Sequence, residues 1–280
     1  MADTGRKNQN APPLRVWGFT LLVCGLLFVA VSAYDYYYNR HNPYIERIEE
    51  HIVAFKPAND KPLVVTMGAS LEMLSTHRNW EAEEFEWFRL IFQGSRIGNF
   101  NPVASHIVNL NPDLLILGLH LFKPASYIAK TRRALRRLVR MPLEHQGIIA
   151  RLNHFEVAGC TGSIWEMDRA LDRIKREFNG LDNSLDSSMF LEQVLEAGIP
   201  VIFIRTPLIT ELETQVRERS IWLERIRNDS QQRGLDIYET GWMLDRSFFC
   251  RDLLHMNEKG RERFSNWLKP IVNDALQTAQ

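Results

Sequence analysis

Three side chains in this sequence are of the types, and in the order, that nucleophilic catalysis uses. Ser70 ends a small-residue turn, Gly68-Ala69-Ser70, directly after the apolar, β-branched run "LVVTM" (63–67). Asp252 and His255 stand three apart in "CRDLLHMNEKG", just before a helix whose expected cap is Asn257. A serine hydroxyl is a weak nucleophile unless a base takes its proton. A histidine serves as that base when a carboxylate fixes its tautomer and stabilises the imidazolium. Each piece alone also has a simpler reading: Ser70 as a helix cap, and Asp252 with His255 as a capping or surface pair. The order Ser, Asp, His is that of α/β hydrolases, but "GASLE" (68–72) does not match their G-x-S-x-G elbow.

The elements around these residues bring them together. Short apolar runs recur at 63–67, "FRLIF" (88–92), "DLLILGL" (113–119) and "PVIFI" (200–204), with a weaker one, "LDIYE", at 235–239. Helical patterns separate or follow them: "NPVASHIVNLN" (101–111), "SSMFLEQVLEAG" (187–198), which stops at Gly198, and "NEKGRERFSNWLKPIVNDALQ" (257–277). In the last, Phe264, Trp267, Leu268, Ile271, Val272 and Ala275 share one face. Strands alternating with helices predict a parallel sheet with helices on both faces. In such sheets the ligand crevice lies beyond the carboxyl ends of the strands. Ser70 follows the first strand and Asp252-x-x-His255 follows the last, so both reach that crevice.

On these residues the chain resembles the SGNH (GDSL-like) hydrolase superfamily over about 61–280. That family carries a Gly-x-Ser block after its first strand, a Gly block after the second, a Gly-x-Asn block after the third, and Asp-x-x-His before its last helix. Gly68-Ala69-Ser70 matches the first block, with Ala69 where the family's name has Asp, and Asp252 and His255 match the last. "GSRIGNFNP" (94–102) offers Gly98, or alternatively Gly94, and the third block reads Gly118-Leu119-His120, with His120 where the family has Asn.

The resemblance implies a flavodoxin-like three-layer α/β sandwich with a parallel sheet of about five strands. It implies that Ser70 attacks an ester carbonyl, with His255 as general base and Asp252 orienting it. The N–H groups of Ser70 and Gly98 would hold the oxyanion, and His120 would either supply one more donor or be a structural residue. No metal or organic cofactor is implied, and the sequence has no zinc-type Cys/His spacing and no phosphate-binding glycine loop.

The N-terminus departs from the rest of the chain. "VWGFTLLVCGLLFVAVSA" (16–33) carries no charge, near the lower limit of length for a membrane-crossing helix. Arg6, Lys7 and Arg15 precede it, and Tyr34, Tyr36, Tyr37 and Tyr38 follow where an interfacial belt would sit. The expected order is a cytoplasmic tail (1–15), a transmembrane signal anchor (16–33), a stalk or lead-in helix (34–60, with "NPYIERIEEHIVAF" at 42–55), and a catalytic domain (61–280) outside the membrane. "VSA" (31–33) leaves open cleavage as a signal peptide, although the apolar run is longer than the usual signal core.

Lys plus Arg and Asp plus Glu both number 34, so no net charge attracts nucleic acid. The local exception is "KTRRALRRLVR" (130–140), a basic amphipathic stretch: a solvated face, or a contact for anionic lipid or an acidic polymer. With Cys24 in the anchor, Cys160 and Cys250 are the only pair open to a disulfide in an oxidising compartment.

Three functions fit. The first is transfer of an acyl group, acetyl being the leading expectation, to a cell-envelope or extracellular polysaccharide. Single-anchor members of the superfamily that look like this chain act beside membrane-bound acyl carriers, so the implied partners are a polysaccharide or glycolipid acceptor and such a carrier. The second is a carbohydrate or lipid esterase with the same triad, and the third a non-catalytic polysaccharide-binding protein on the same fold.

Overall fold

The computed structural model describes residues 14–40, 43–58, 60–68, 84–91, 96–122, 167, 168, 170, 172, 188–219, 221–242 and 244–279. They belong to two units, each taken by itself: one holds residues 14–40, the other the described residues from Pro43 to Ala279.

In the first unit, α1 (Leu14–Arg40) is a helix of 27 residues. From Val16 to Val29 it exposes apolar side chains, among them Trp17, Phe19, Leu22 and Leu26. The hydroxyl of Thr20 donates to the carbonyl of Val16 at 2.9 Å. Counted over the described residues, no helix is long and apolar enough to cross a membrane. The structure therefore shows the helix expected at 16–33 but does not establish it as a membrane span. The basic stretch 130–140 lies outside the described residues.

The second unit is built on five parallel strands: β1 (Leu63–Gly68), β2 (Glu86–Ile91), β3 (Leu114–Gly118), β4 (Val201–Arg205) and β5 (Asp236–Glu239). They stand in the order β2-β1-β3-β4-β5. All five lie on the apolar runs of the sequence, and the order is the flavodoxin-like one. Every residue of β1, β3 and β4 is buried. A strand reaches that state only when both faces of its sheet are covered, which explains why these runs show no polar alternation.

The helices of this unit are α2 (Pro43–Ala54), α3 (Ala104–Leu110), α4 (Met189–Glu196), α5 (Thr210–Arg219), α6 (Ile221–Gln232) and α7 (Glu258–Ala279). The pattern at 42–55 is α2, which buries Ile48 and Ile52 in the core; α3 packs against both α2 and α4. Helix α4 starts as its sequence directs, with Ser188 Oγ accepting from the N–H of Leu191 at 3.1 Å. It is followed by Gly198 at φ 73°. Helix α7 packs on β3 and buries Phe264, Leu268, Val272 and Leu276, with Trp267, Ile271 and Ala275 half-buried beside them.

Polar groups inside the sheet are paired rather than excluded. The indole of Trp87 donates to the buried hydroxyl of Thr66 at 2.7 Å across β2 and β1, and Asp113 accepts from the N–H of Leu63 at 2.7 Å at the start of β1. Such bonds remove the penalty of burying a hydroxyl or a strand-end amide.

Candidate active site

The direction of strand addition reverses between β1 and β3, and in open α/β sheets that reversal opens the crevice at the carboxyl edge. β1 ends there at Gly68 and β3 at Gly118. Ser70 lies outside the described residues, as do Ala69 and Gly94.

His120 follows β3 in a 3-10 turn, Leu119–Phe122, and is only 1% exposed; its Nδ1 is 3.3 Å from Oγ1 of Thr206. Gly98 lies in a 3-10 turn after β2, Ile97–Asn99, where its N–H precedes any carbonyl of the turn that could accept it. Among the described residues, a Cβ on Gly98 would meet nothing within 4 Å.

The chain beyond β5 stays at the same edge: Leu244 forms a parallel bridge to Ile209, past the ends of β4 and β5. It then makes a closed loop that carries Asp252 and His255. Phe249 and Met256 bridge antiparallel, and the N–H of Cys250 donates to the carbonyl of His255 at 2.7 Å. Cys250 is disulfide-bonded and Cys24 is not; Cys160, the third cysteine, lies outside the described residues.

The first turn of α7 grips this loop from behind. Asn257 is the cap the sequence predicts: its Oδ1 accepts from the N–H of Gly260 at 3.1 Å. Its Nδ2 donates to the carbonyls of Ser247 at 2.7 Å and Phe249 at 3.2 Å. A Cβ at Gly260 would sit 2.3 Å from the carbonyl oxygen of Phe248, so only glycine lets helix and loop approach this closely. The cations of Lys259 and Arg263 lie over the ring of Phe248, at 4.4 and 5.2 Å.

Held this way, the loop turns sharply. Leu253 adopts φ 60°, a left-handed conformation that is an outlier for a bulky side chain. The turn lets Oδ1 of Asp252 accept from the N–H groups of Leu254 and His255, both at 3.1 Å, while Oδ2 accepts from Nδ1 of His255. Burial pushes the Asp252 carboxyl up, but the hydrogen bond and charge of His255, with the two amides, outweigh it and hold the group below its ordinary value. The carboxylate thus stays ionised, and the proton it receives is the one on Nδ1. The other ring nitrogen, Nε2, is buried and has no hydrogen-bond partner among the described residues. With Nδ1 bonded to Asp252, Nε2 of a neutral ring carries the lone pair a general base uses.

Of the residues singled out in sequence, Asp252 and His255 are brought into contact. His120 is placed directly past the carboxyl end of β3, and Gly98 in the turn that follows β2 in sequence. Sequence reasoning missed Thr206, and it missed a charged cluster next to it. Arg205, the last residue of β4, gives a two-pronged pair to Glu213 of α5, at 2.5 and 3.0 Å, and reaches Glu239 of β5 at 3.2 Å. Arg227 of α6 closes the chain on Glu239 at 2.7 Å. One signal was available: an arginine ending an otherwise apolar buried strand requires a carboxylate partner.

No protein-family model matches the chain, and no curated protein matches it. Among solved structures, a G-D-S-L family protein from Desulfitobacterium hafniense DCB-2 is 8% identical over 75% of this chain and 99% of that one, with a TM-score of 0.38. A Clostridium thermocellum family 3 carbohydrate esterase is 12% identical over 79% of this chain and 100% of that one, with a TM-score of 0.43. Likeness of this degree assigns neither substrate nor activity, which must come from the chain's own residues.

Proposed function

We propose that this chain is a serine-dependent acyltransferase that moves an acyl group, acetyl in the first instance, onto a cell-envelope polysaccharide or glycolipid. The observation that carries the reading is the buried Asp252–His255 pair, whose Nε2 has no partner among the described residues and whose loop lies at the sheet edge where Ser70 follows β1 in sequence. Oγ of Ser70 attacks the donor ester's carbonyl carbon as Nε2 of His255 takes the hydroxyl proton. His255 then passes that proton to the departing alcohol or thiol, leaving an acyl-serine. The acceptor hydroxyl gives its proton to Nε2 and takes the acyl group, and His255 returns that proton to Oγ, restoring Ser70. Oxyanion donors in such a site, here the N–H groups of Ser70 and Gly98 and the ring of His120, are worth about 3–4 kcal/mol each.

Location supports transfer over hydrolysis. The exposed apolar length of α1 suits a single-pass anchor with a cytoplasmic N-terminus. Thr20, bonded back to Val16, is the arrangement a hydroxyl adopts in lipid. The disulfide at Cys250 suits an oxidising, periplasmic or extracellular domain. The basic stretch 130–140 supplies charge for an acidic polymer, and a membrane-bound protein would deliver the acyl group.

The test is turnover of an activated acetyl ester with and without the cell's own envelope polysaccharide. The polymer should gain acetyl in proportion to ester consumed, and Ser70→Ala should abolish both. Rapid hydrolysis with unmodified polymer would make the chain an esterase, and full activity in Ser70→Ala would end the serine mechanism.

A further inference from the structure

The register of the sheet continues past its last paired residues. Gly118 of β3 pairs with Ile204 of β4, so two steps further His120 faces Thr206, and there the imidazole and the hydroxyl meet at 3.3 Å. Both are almost wholly buried, at 1% and 2% exposure. Next to Thr206, Arg205 is clamped by Glu213 and Glu239, which holds the end of β4 in place.

We propose that Thr206 is a positioning residue that selects the tautomer of His120. A threonine hydroxyl has one proton and two lone pairs, whereas a neutral imidazole has one N–H and one acceptor nitrogen. Among the described residues, Nδ1 of His120 is the partner of Thr206 Oγ1. Were Nδ1 to carry the proton and donate, the O–H of Thr206 would be buried with no acceptor among those residues, the costlier way to bury a polar group. With the O–H donating to Nδ1, the hydroxyl and Nδ1 satisfy each other and the ring proton sits on Nε2, on the far side of the imidazole. That is the tautomer His120 needs to act as an N–H donor to an oxyanion. This last consequence rests on the acyl-transfer reading; the tautomer itself does not.

The test is nitrogen NMR of the full chain in detergent with labelled histidine, the His120 signals assigned by their loss in His120→Asn, alongside turnover of an activated acetyl ester. The wild type should show His120 protonated at Nε2 with Nδ1 accepting a hydrogen bond. Thr206→Val should give a mixture of tautomers and lower kcat about 10-fold with little change in KM, short of the 100- to 1,000-fold that loss of an oxyanion donor brings. Thr206→Ser, which keeps the hydroxyl, should restore both. A wild-type ring protonated at Nδ1 overturns the proposal, whatever the activity and whether or not the valine variant folds. A wild type that consumes no ester, yet shows the Nε2 proton and loses it to a mixture in Thr206→Val, upholds the proposal and defeats the acyl-transfer reading instead.

Discussion

Two buried charged clusters sit at the carboxyl edge of the same sheet, and they are completed differently. Around Arg205, the guanidinium meets Glu213 through two bonds and Glu239 through a third, and Glu213 also faces the N–H of Leu208 at 3.4 Å. Around His255, Asp252 is saturated by two amides and by Nδ1, yet Nε2 is left with no partner among the described residues. A closed cluster holds elements together. A cluster with one buried nitrogen unpaired among the described residues keeps an acceptor that the proposed mechanism uses for the serine proton. On the proposed function, the difference separates a charge network that serves the fold from one that serves the chemistry.

The comparison breaks first on substitutions that keep shape. Asp252→Asn should cut turnover of an acetyl ester by about 10,000-fold, because the amide no longer stabilises the imidazolium or fixes its tautomer. It should remain folded, with a fall in melting temperature at neutral pH much smaller than the one Glu213→Gln brings. Glu213→Gln should do the reverse, since it leaves Arg205 short of a buried countercharge: a loss of about 3–5 kcal/mol in urea or thermal unfolding. If Asp252→Asn unfolds the domain while Glu213→Gln abolishes activity in a stable protein, the two clusters have been assigned the wrong way round.

A smaller effect tests how the reactive loop is held. Gly260→Ala drives a methyl into the carbonyl of Phe248. Overpacking of this kind costs about 1–3 kcal/mol, and here it should also lower the rate by displacing the loop that carries Asp252 and His255. Unfolding and ester turnover measured on one preparation give both numbers. An alanine variant with wild-type activity would show that the loop does not depend on its contact with α7.

The smallest effect is in acid. The folded carboxyl of Asp252 titrates below its ordinary value of 3.8. The stability it contributes is therefore complete above that value and is lost as the pH falls through the lower, folded one. The stability difference between wild type and Asp252→Asn should accordingly hold at neutral pH and shrink only in that acid range. A difference already fading well above 3.8 would contradict the geometry described for the carboxylate.

Much of this molecule was legible in the sequence, for physical reasons that also mark the limits. Strands buried on both faces must be continuously apolar, so β1, β3 and β4 showed as short runs; the partly buried β2 and β5 carry charged residues, and β5 gave the weaker run. Asn257 announced a helix start because a cap needs a short side-chain acceptor. Asp252 and His255 were visible because their bond spans three residues. Arg205 and Glu239 are separated by 34 residues and joined only by the sheet, and Thr206 meets His120 only through the register of β3 and β4. Leucine carries no signal for the left-handed conformation of Leu253. Helices α5 and α6 are rich in charge, with Leu212, Leu223 and Ile226 the buried apolar side chains among their described residues, so their apolar periodicity is faint.

The most direct test of the central claim is to trap the intermediate. The full chain is mixed with an activated acetyl ester, quenched in acid at short times, digested, and mapped by mass spectrometry. The acyl-serine account predicts an acetyl group on Ser70 that builds up, decays faster when acceptor polysaccharide is present, and fails to form in His255→Ala. Ester consumed by the wild type with no acetyl on Ser70 at any time, or an acetyl on Ser70 that forms as fast in His255→Ala, would contradict it.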